Sequence, residues 1–287
     1  MQTRLFLMMI LLTSAGGVAW ASSSPKAAAP KTLANSLFTR DLSLQTSTKI
    51  IDARHRDAWL KQRWPRSVYL NWEQLSQPGA GSRGSLRESP ERLAEDLARA
   101  GLHREDSVLI LGDGPSGRGN EGRIAWVLQM LGFRNLRVAT YSASQAPALE
   151  SGPYKPVAVS RWKPQLSLRA VISAREVDKL GSHRRPLILD VRPVRVKGPL
   201  PQAFSGFVQH RIDWREFFTA DGLPRQDARS SLPPLAQQNG VVVVSSAGLS
   251  SAGVTLVLRE WGYDARNLAE GLSWYLDPST SINEGGE

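Results

Sequence analysis

Short apolar runs alternate along the chain with stretches of helical period, and the alternation occurs twice. Residues 49–54 read as a strand ending in Asp52 and Arg54, and residues 106–111 as a buried strand running into a glycine-rich loop. Residues 121–131 carry apolar positions at helical spacing up to Gly132, and 135–138 form the next strand. Between these, Ser89-Pro90-Glu91 is a helix start, a side-chain cap followed by proline at the first helical position. That helix runs through Leu93, Leu97 and Ala98 to Gly101. Further on, Ser173-Ala174-Arg175-Glu176 is a capping box, and residues 186–192 are a strand ending in Asp190 and Arg192. Residues 241–244 are a run of valines, 245–250 a loop of small residues, 251–261 a helix stopped by Gly262, and 264–268 a strand. Brief, almost wholly apolar strands alternating with helices predict an α/β fold of two domains, each a short parallel sheet flanked by helices.

The duplication is visible residue by residue. Asp52-Ala53-Arg54 matches Asp190-Val191-Arg192, and residues 126–133 match 256–263, both ending in Gly and an aromatic. The distance from Asp to that Gly is 80 residues in the first copy and 72 in the second. Residues 147–165, rich in Pro, Ser and Gly, read as a linker between domains at 33–146 and 166–280.

At the start, Arg4, an apolar run over 5–12 and Ala19-Trp20-Ala21 predict a signal peptide over residues 1–21 and a periplasmic or secreted protein. Residues 22–32 read as a disordered lead-in. The apolar run is shorter than the roughly 20 residues of a bilayer span, so no stable membrane insertion is expected after cleavage.

Composition narrows the chemistry. The 287 residues include no cysteine, which removes thiol nucleophiles, thiolate metal sites and disulfides. The formal charge of +10 is carried mostly by arginine, without a dense basic tract or a base-stacking motif, so nucleic acid is not an expected partner; a small anion or a partner protein is. His55, His103, His183 and His210 lack metal-ligand spacing, and no metal or cofactor is expected.

The candidate site is the loop Ser245-Ser246-Ala247-Gly248-Leu249-Ser250. A small-residue loop entering a helix presents free N–H groups and the positive end of the helix dipole, which suits an anion. The alternative is a turn whose amides are satisfied by water or serine side chains. Residues 248–252 also approximate a nucleophile elbow, but the hydrolase order needs a later histidine and none follows His210. Residues 112–117 fit G-x-G-x-x-G, yet Pro115 and Gly119 push the helix start to about Asn120 and Arg137 stands where an acid belongs, so these glycines read as a flexible loop. Asp52, Arg54, Asp190 and Arg192 read as loop-orienting pairs at strand ends, with Asp190 and Arg192 nearer the site. The tryptophans read as core and domain-interface residues.

Taken in order, 51–54, 89–93 to Gly101, 131–133, 189–192, 241–248, 261–263 and the closing 270–274 resemble the tandem rhodanese (thiosulfate sulfurtransferase-like) proteins over nearly all the chain after residue 32. The resemblance implies that the second domain's loop would carry a cysteine accepting sulfur as a persulfide, with loop amides and a basic residue holding the anionic donor. That cysteine falls on Ser245, the common glycine on Gly248, an often basic position on Leu249 and a Ser/Thr position on Ser250. The first domain's loop, starting near Gly112-Asp113, lacks cysteine as well, and residues 199–208 retain only Gly206 of the family pattern. The implied function is an exported tandem rhodanese-like protein without sulfurtransferase activity, acting in binding or scaffolding. The alternative is a related enzyme using Ser245 or Ser250 in atypical chemistry.

Overall fold

A computed structural model describes residues 36–77, 84–86, 89–180 and 185–276. The leader at 1–21, the lead-in at 22–32, His183 and the last positions of the second predicted domain lie outside the described residues.

Two parallel sheets form. The first holds β1 (Lys49–Asp52), β2 (Val68–Tyr69), β3 (Ser107–Gly112) and β4 (Asn135–Thr140) in the order β2-β1-β3-β4. The second holds β5 (Val171–Ile172), β6 (Leu187–Asp190), β7 (Gln209–Arg211), β8 (Val241–Val244) and β9 (Ala265–Leu268) in the order β5-β9-β8-β6-β7. Four strands of each sheet follow the same crossovers, and the registers agree: Asp52 lies across from Leu111 and Asp190 across from Val244. A parallel bridge from Phe38 to Val138 occupies the edge that β5 takes in the second sheet. Strands β2 and β7 are two and three residues long, too short to show a period in the sequence.

The helices are α1 (Arg56–Lys61), α2 (Pro90–Arg99), α3 (Asn120–Met130), α4 (Ala174–Asp178), α5 (Leu235–Asn239), α6 (Ser250–Glu260) and α7 (Ser273–Leu276). Ser89 caps α2 through the Arg92 N–H, and Ser173 with Glu176 closes a capping box on α4. Gly132 and Gly262 follow α3 and α6 at φ +101° and +89°, a conformation only glycine adopts without strain.

Helices α3 and α6 are buried on nearly every side and cross where Gly122 meets Gly253. A Cβ on Gly122 would lie 2.7 Å from the Gly253 Cα, so the absence of a side chain there sets the closeness of the crossing. Around it one continuous apolar cluster joins the two sheets and these helices, including Ile110 and Val243 from strands, Trp126 from α3 and Trp261 at the end of α6. The stretch read as a linker is strapped onto the first sheet's half. Arg63 and Glu150 exchange two backbone hydrogen bonds of 3.0 Å, Val159 N–H donates to Ala98 O at 3.0 Å, and the Trp162 indole donates to Leu102 O at 2.9 Å. Among the described residues no helix is long and apolar enough to cross a membrane.

Candidate functional site

The site grows from the carboxyl end of β8. Four buried valines carry the chain to the sheet's end, where Ser245 leaves the ladder and α6 begins five residues later. Ser245 is only 2% exposed. Its hydroxyl turns inward, 2.9 Å from the Ser251 hydroxyl, and accepts the Ser251 N–H at 3.4 Å. The Thr255 hydroxyl donates to Ser251 O at 2.8 Å, continuing a polar ladder along α6. Leu249, the residue before the helix, offers no side-chain cap, so Ser245 satisfies one of the first-turn amides in its place. A hydroxyl held this way is a structural hydrogen-bonding group. Among the described residues no imidazole or carboxylate is hydrogen-bonded to it.

Three loop carbonyls are anchored on one side. Ser245 O accepts the Leu272 N–H at 2.9 Å and Ser246 O the Ser273 N–H at 2.9 Å. Gly248 O accepts from Arg123 at 3.1 Å and from the Asn267 amide at 3.2 Å. In a planar trans peptide the C=O and the next residue's N–H point in opposite directions. Anchoring these carbonyls therefore aims the N–H groups of Ser246, Ala247 and Leu249 away from the 267–273 segment and from Arg123. Among the described residues none of those three amides has a protein acceptor, nor does that of Ser250. Ser246 is exposed, and Ala247 and Leu249 are half-buried, so the amides are within reach of solvent.

Arg123 is the residue that sequence reasoning missed. It projects from α3, in the other half of the molecule, and is fully buried. Besides Gly248 O it binds Gly84 O, and its guanidinium stacks 4.6 Å from the Trp126 ring. Burial pulls it down to about 9, and the carboxylate of Glu270 opposes that. The signal was available: a lone charge inside the apolar run 122–128 of a predicted helix. Asn267, wholly buried on β9, was missed for the same reason. The approach of Gly84, whose missing Cβ makes room for the carbonyls of Ala247 and Glu270, had no local signal.

Asp190 and Arg192 form a two-pronged ion pair of 2.9 and 2.7 Å, and Arg192 also binds Gly198 O at 3.0 Å. Asp52 and Arg54 repeat the motif at 3.0 and 2.7 Å, with Arg54 on Gln62 O. Each arginine folds back on the aspartate two residues earlier and holds the following loop. Ser250 faces a cleft between the halves, with Gly114, Glu121, Thr140, Trp214 and Phe218. Ser245 and Ser250 thus look into different surroundings. Gly119 abuts Ser250, which brings the starts of α3 and α6 together.

No family model and no curated protein matches the chain. Solved structures do. SseA from Escherichia coli, described as having the "rhodanese" fold of 3-mercaptopyruvate sulfotransferases, aligns with a TM-score of 0.63 at 18% identity, over 79% of this chain and 92% of its own. A probable thiosulfate sulfurtransferase aligns with a TM-score of 0.55 at 22% identity, over 82% and 96%. The 3-mercaptopyruvate sulfurtransferase from Leishmania major aligns with a TM-score of 0.63 at 15% identity, over 80% and 70%. At these identities the likeness is one of fold: the chain has a rhodanese-type α/β architecture with two parallel sheets.

Proposed function

We propose that this is an exported, tandem rhodanese-like protein that performs no sulfur transfer and acts by binding, through the loop at Ser245–Ser250. The observation that carries the reading is the state of Ser245. A thiol could take up sulfur there, but the chain has none, and the hydroxyl in its place is buried and bonded to Ser251. A serine hydroxyl is hardly ionised near neutral pH, whereas a free thiol has a pKa of ~8.5. The outward amides of Ser246, Ala247 and Leu249 support recognition of a small anion, and the matching crossovers of the two sheets support the tandem reading. The leader-like residues 1–21 support export to the periplasm or beyond.

The test is a thiosulfate:cyanide assay on the protein lacking residues 1–21, with thiosulfate and sulfite titrated calorimetrically. Anion binding without turnover is expected. Turnover that survives Ser245→Ala would overturn the proposal. Absence of any binding to the loop would remove the anion part of it and leave a protein partner.

A further inference from the structure

At the opposite end of α3 and α6 from the loop, where both helices finish, a groove opens between the halves. Its walls are Gln129 and the turn through Arg134, the strap at Gln165–Ser167, Arg169, and Arg259 from α6. Among the described residues no acidic one lines it, while three guanidinium groups do. An adjoining hollow shares Gln129, Arg134 and Arg259 and adds one carboxylate, Glu260, which is bound to Ser36 and to the Leu37 N–H.

The groove is built from fixed parts. Gln165 N–H donates to Leu131 O at 3.0 Å and Ser167 N–H to Met130 O at 2.9 Å, which pins the strap to the end of α3. The Trp126 indole donates to Ala170 O at 2.9 Å. Arg259 binds Arg169 O at 3.0 Å and Ala265 O at 3.1 Å, with Asp264 at 3.8 Å. Burial, and after the opposing effect of Asp264 the cationic Arg266 and Arg169, hold Arg259 below the ordinary arginine value.

Cations at helix ends answer the dipole, and Arg259, set on carbonyl oxygens, fits that role. Arg134 and Arg169 do not. Both are exposed, and among the described residues neither side chain makes a hydrogen bond or ion pair. Like charges gathered on one groove without a carboxylate repel one another, and an anion between them relieves the repulsion. Ser36 lines the adjoining hollow, and the sequence before it carries Lys26 and Lys31 and no acid, which is the wrong charge to fill the groove.

We propose that this groove binds a phosphate-type polyanion through Arg134, Arg169 and Arg259, independently of the Ser245 loop. Planar guanidinium groups suit adjacent phosphoryl oxygens in pairs. The same chemistry could come from a free polyphosphate or from phospholipid headgroups.

The test uses inorganic pyrophosphate in calorimetry at low and moderate salt, with phosphatidylglycerol vesicles in a sedimentation arm. Saturable pyrophosphate binding, weakened about tenfold by the double variant Arg134→Gln/Arg169→Gln, is expected. Vesicle binding lost in that variant, without pyrophosphate binding, would assign the headgroup source. The control Arg56→Gln/Arg92→Gln removes the same charge from exposed positions elsewhere. If it weakens binding equally, or if neither probe binds, the proposal is overturned. All four arginines are exposed, and matching circular dichroism and melting curves check that each variant is folded.

Discussion

Glu121 carries a penalty that pH can release. It sits in the first turn of α3, 7% exposed, with its carboxylate packed against Gly112, which has no Cβ to obstruct it. Its own backbone N–H is the hydrogen bond that lowers its pKa; burial outweighs that bond, and the nearby Asp113 adds to the rise. Together these push Glu121 from 4.5 up to about 7. The folded protein therefore holds a proton there that the unfolded chain has released by mid-range pH. Because the folded value is the higher one, the contribution is fully present below 4.5 and is lost as pH rises through about 7. At ~1.4 kcal/mol per pH unit, the loss across that window is ~3 kcal/mol. Glu121→Gln keeps the shape and removes the titration. Urea unfolding of both proteins from pH 4 to 8 should show the parent losing ~3 kcal/mol relative to the variant as pH rises. Asp113 and Glu270, also raised chiefly by burial, titrate in both proteins and largely cancel in the difference. Parallel curves through the window would refute the argument. So would a variant that loses stability on the alkaline side faster than the parent.

The other substitutions separate packing from site architecture. Gly122→Ala should cost ~1–3 kcal/mol, because its Cβ would meet the Gly253 Cα. Gly253→Ala, whose Cβ would find Gly122 at 3.6 Å, should stay within ~1 kcal/mol of the parent; equal costs in thermal unfolding would undo the crossing argument. Ser245→Ala should cost ~1–2 kcal/mol by stranding Ser251, a loss that a spare nucleophile would not produce. Arg123→Met should cost ~1–3 kcal/mol and weaken any anion affinity of the loop, and Arg123→Lys should not restore it, since one ammonium cannot reproduce the two guanidinium contacts. Unchanged affinity in Arg123→Met would show that Gly248 O does not set the loop's geometry.

The elements that were legible in the sequence are those whose cause is local. The Ser89 cap, the Ser173 box and the stops at Gly132 and Gly262 each depend on a few neighbouring residues, and the structure forms each of them. The α/β class followed from apolar runs alternating with helical spacing, and the two sheets bear it out. Strands β2 and β7 were not legible, because pairing with a neighbour, Ile51 with Val68 and Ile188 with Gln209, defines them. At the site, Ser245 could be identified as a position, but the direction of its hydroxyl depends on Ser251, and the helix start that places Ser251 is set by tertiary packing. Leu249 read as the loss of a basic contact. The cation that does reach the loop, Arg123, lies 125 residues from Gly248 and holds the Gly248 carbonyl from behind, on a helix whose other buried positions are mostly apolar.

That arrival bears on what a loop without its nucleophile retains. In a persulfide site, anion-holding amides and a thiol act together, but they have separate structural causes. The amides are aimed by what holds the carbonyls behind them: Leu272 and Ser273 on Ser245 and Ser246, and Arg123 with Asn267 on Gly248. None of these contacts involves the side chain at position 245. The hydroxyl at position 245 cannot carry a persulfide, and the aim of the amides does not depend on it. Arg123 also ties the loop to Gly84 in the other half, so losing the cradle would disturb the packing of both sheets. Stability alone is then sufficient reason for this loop geometry to be kept, whatever stands at position 245.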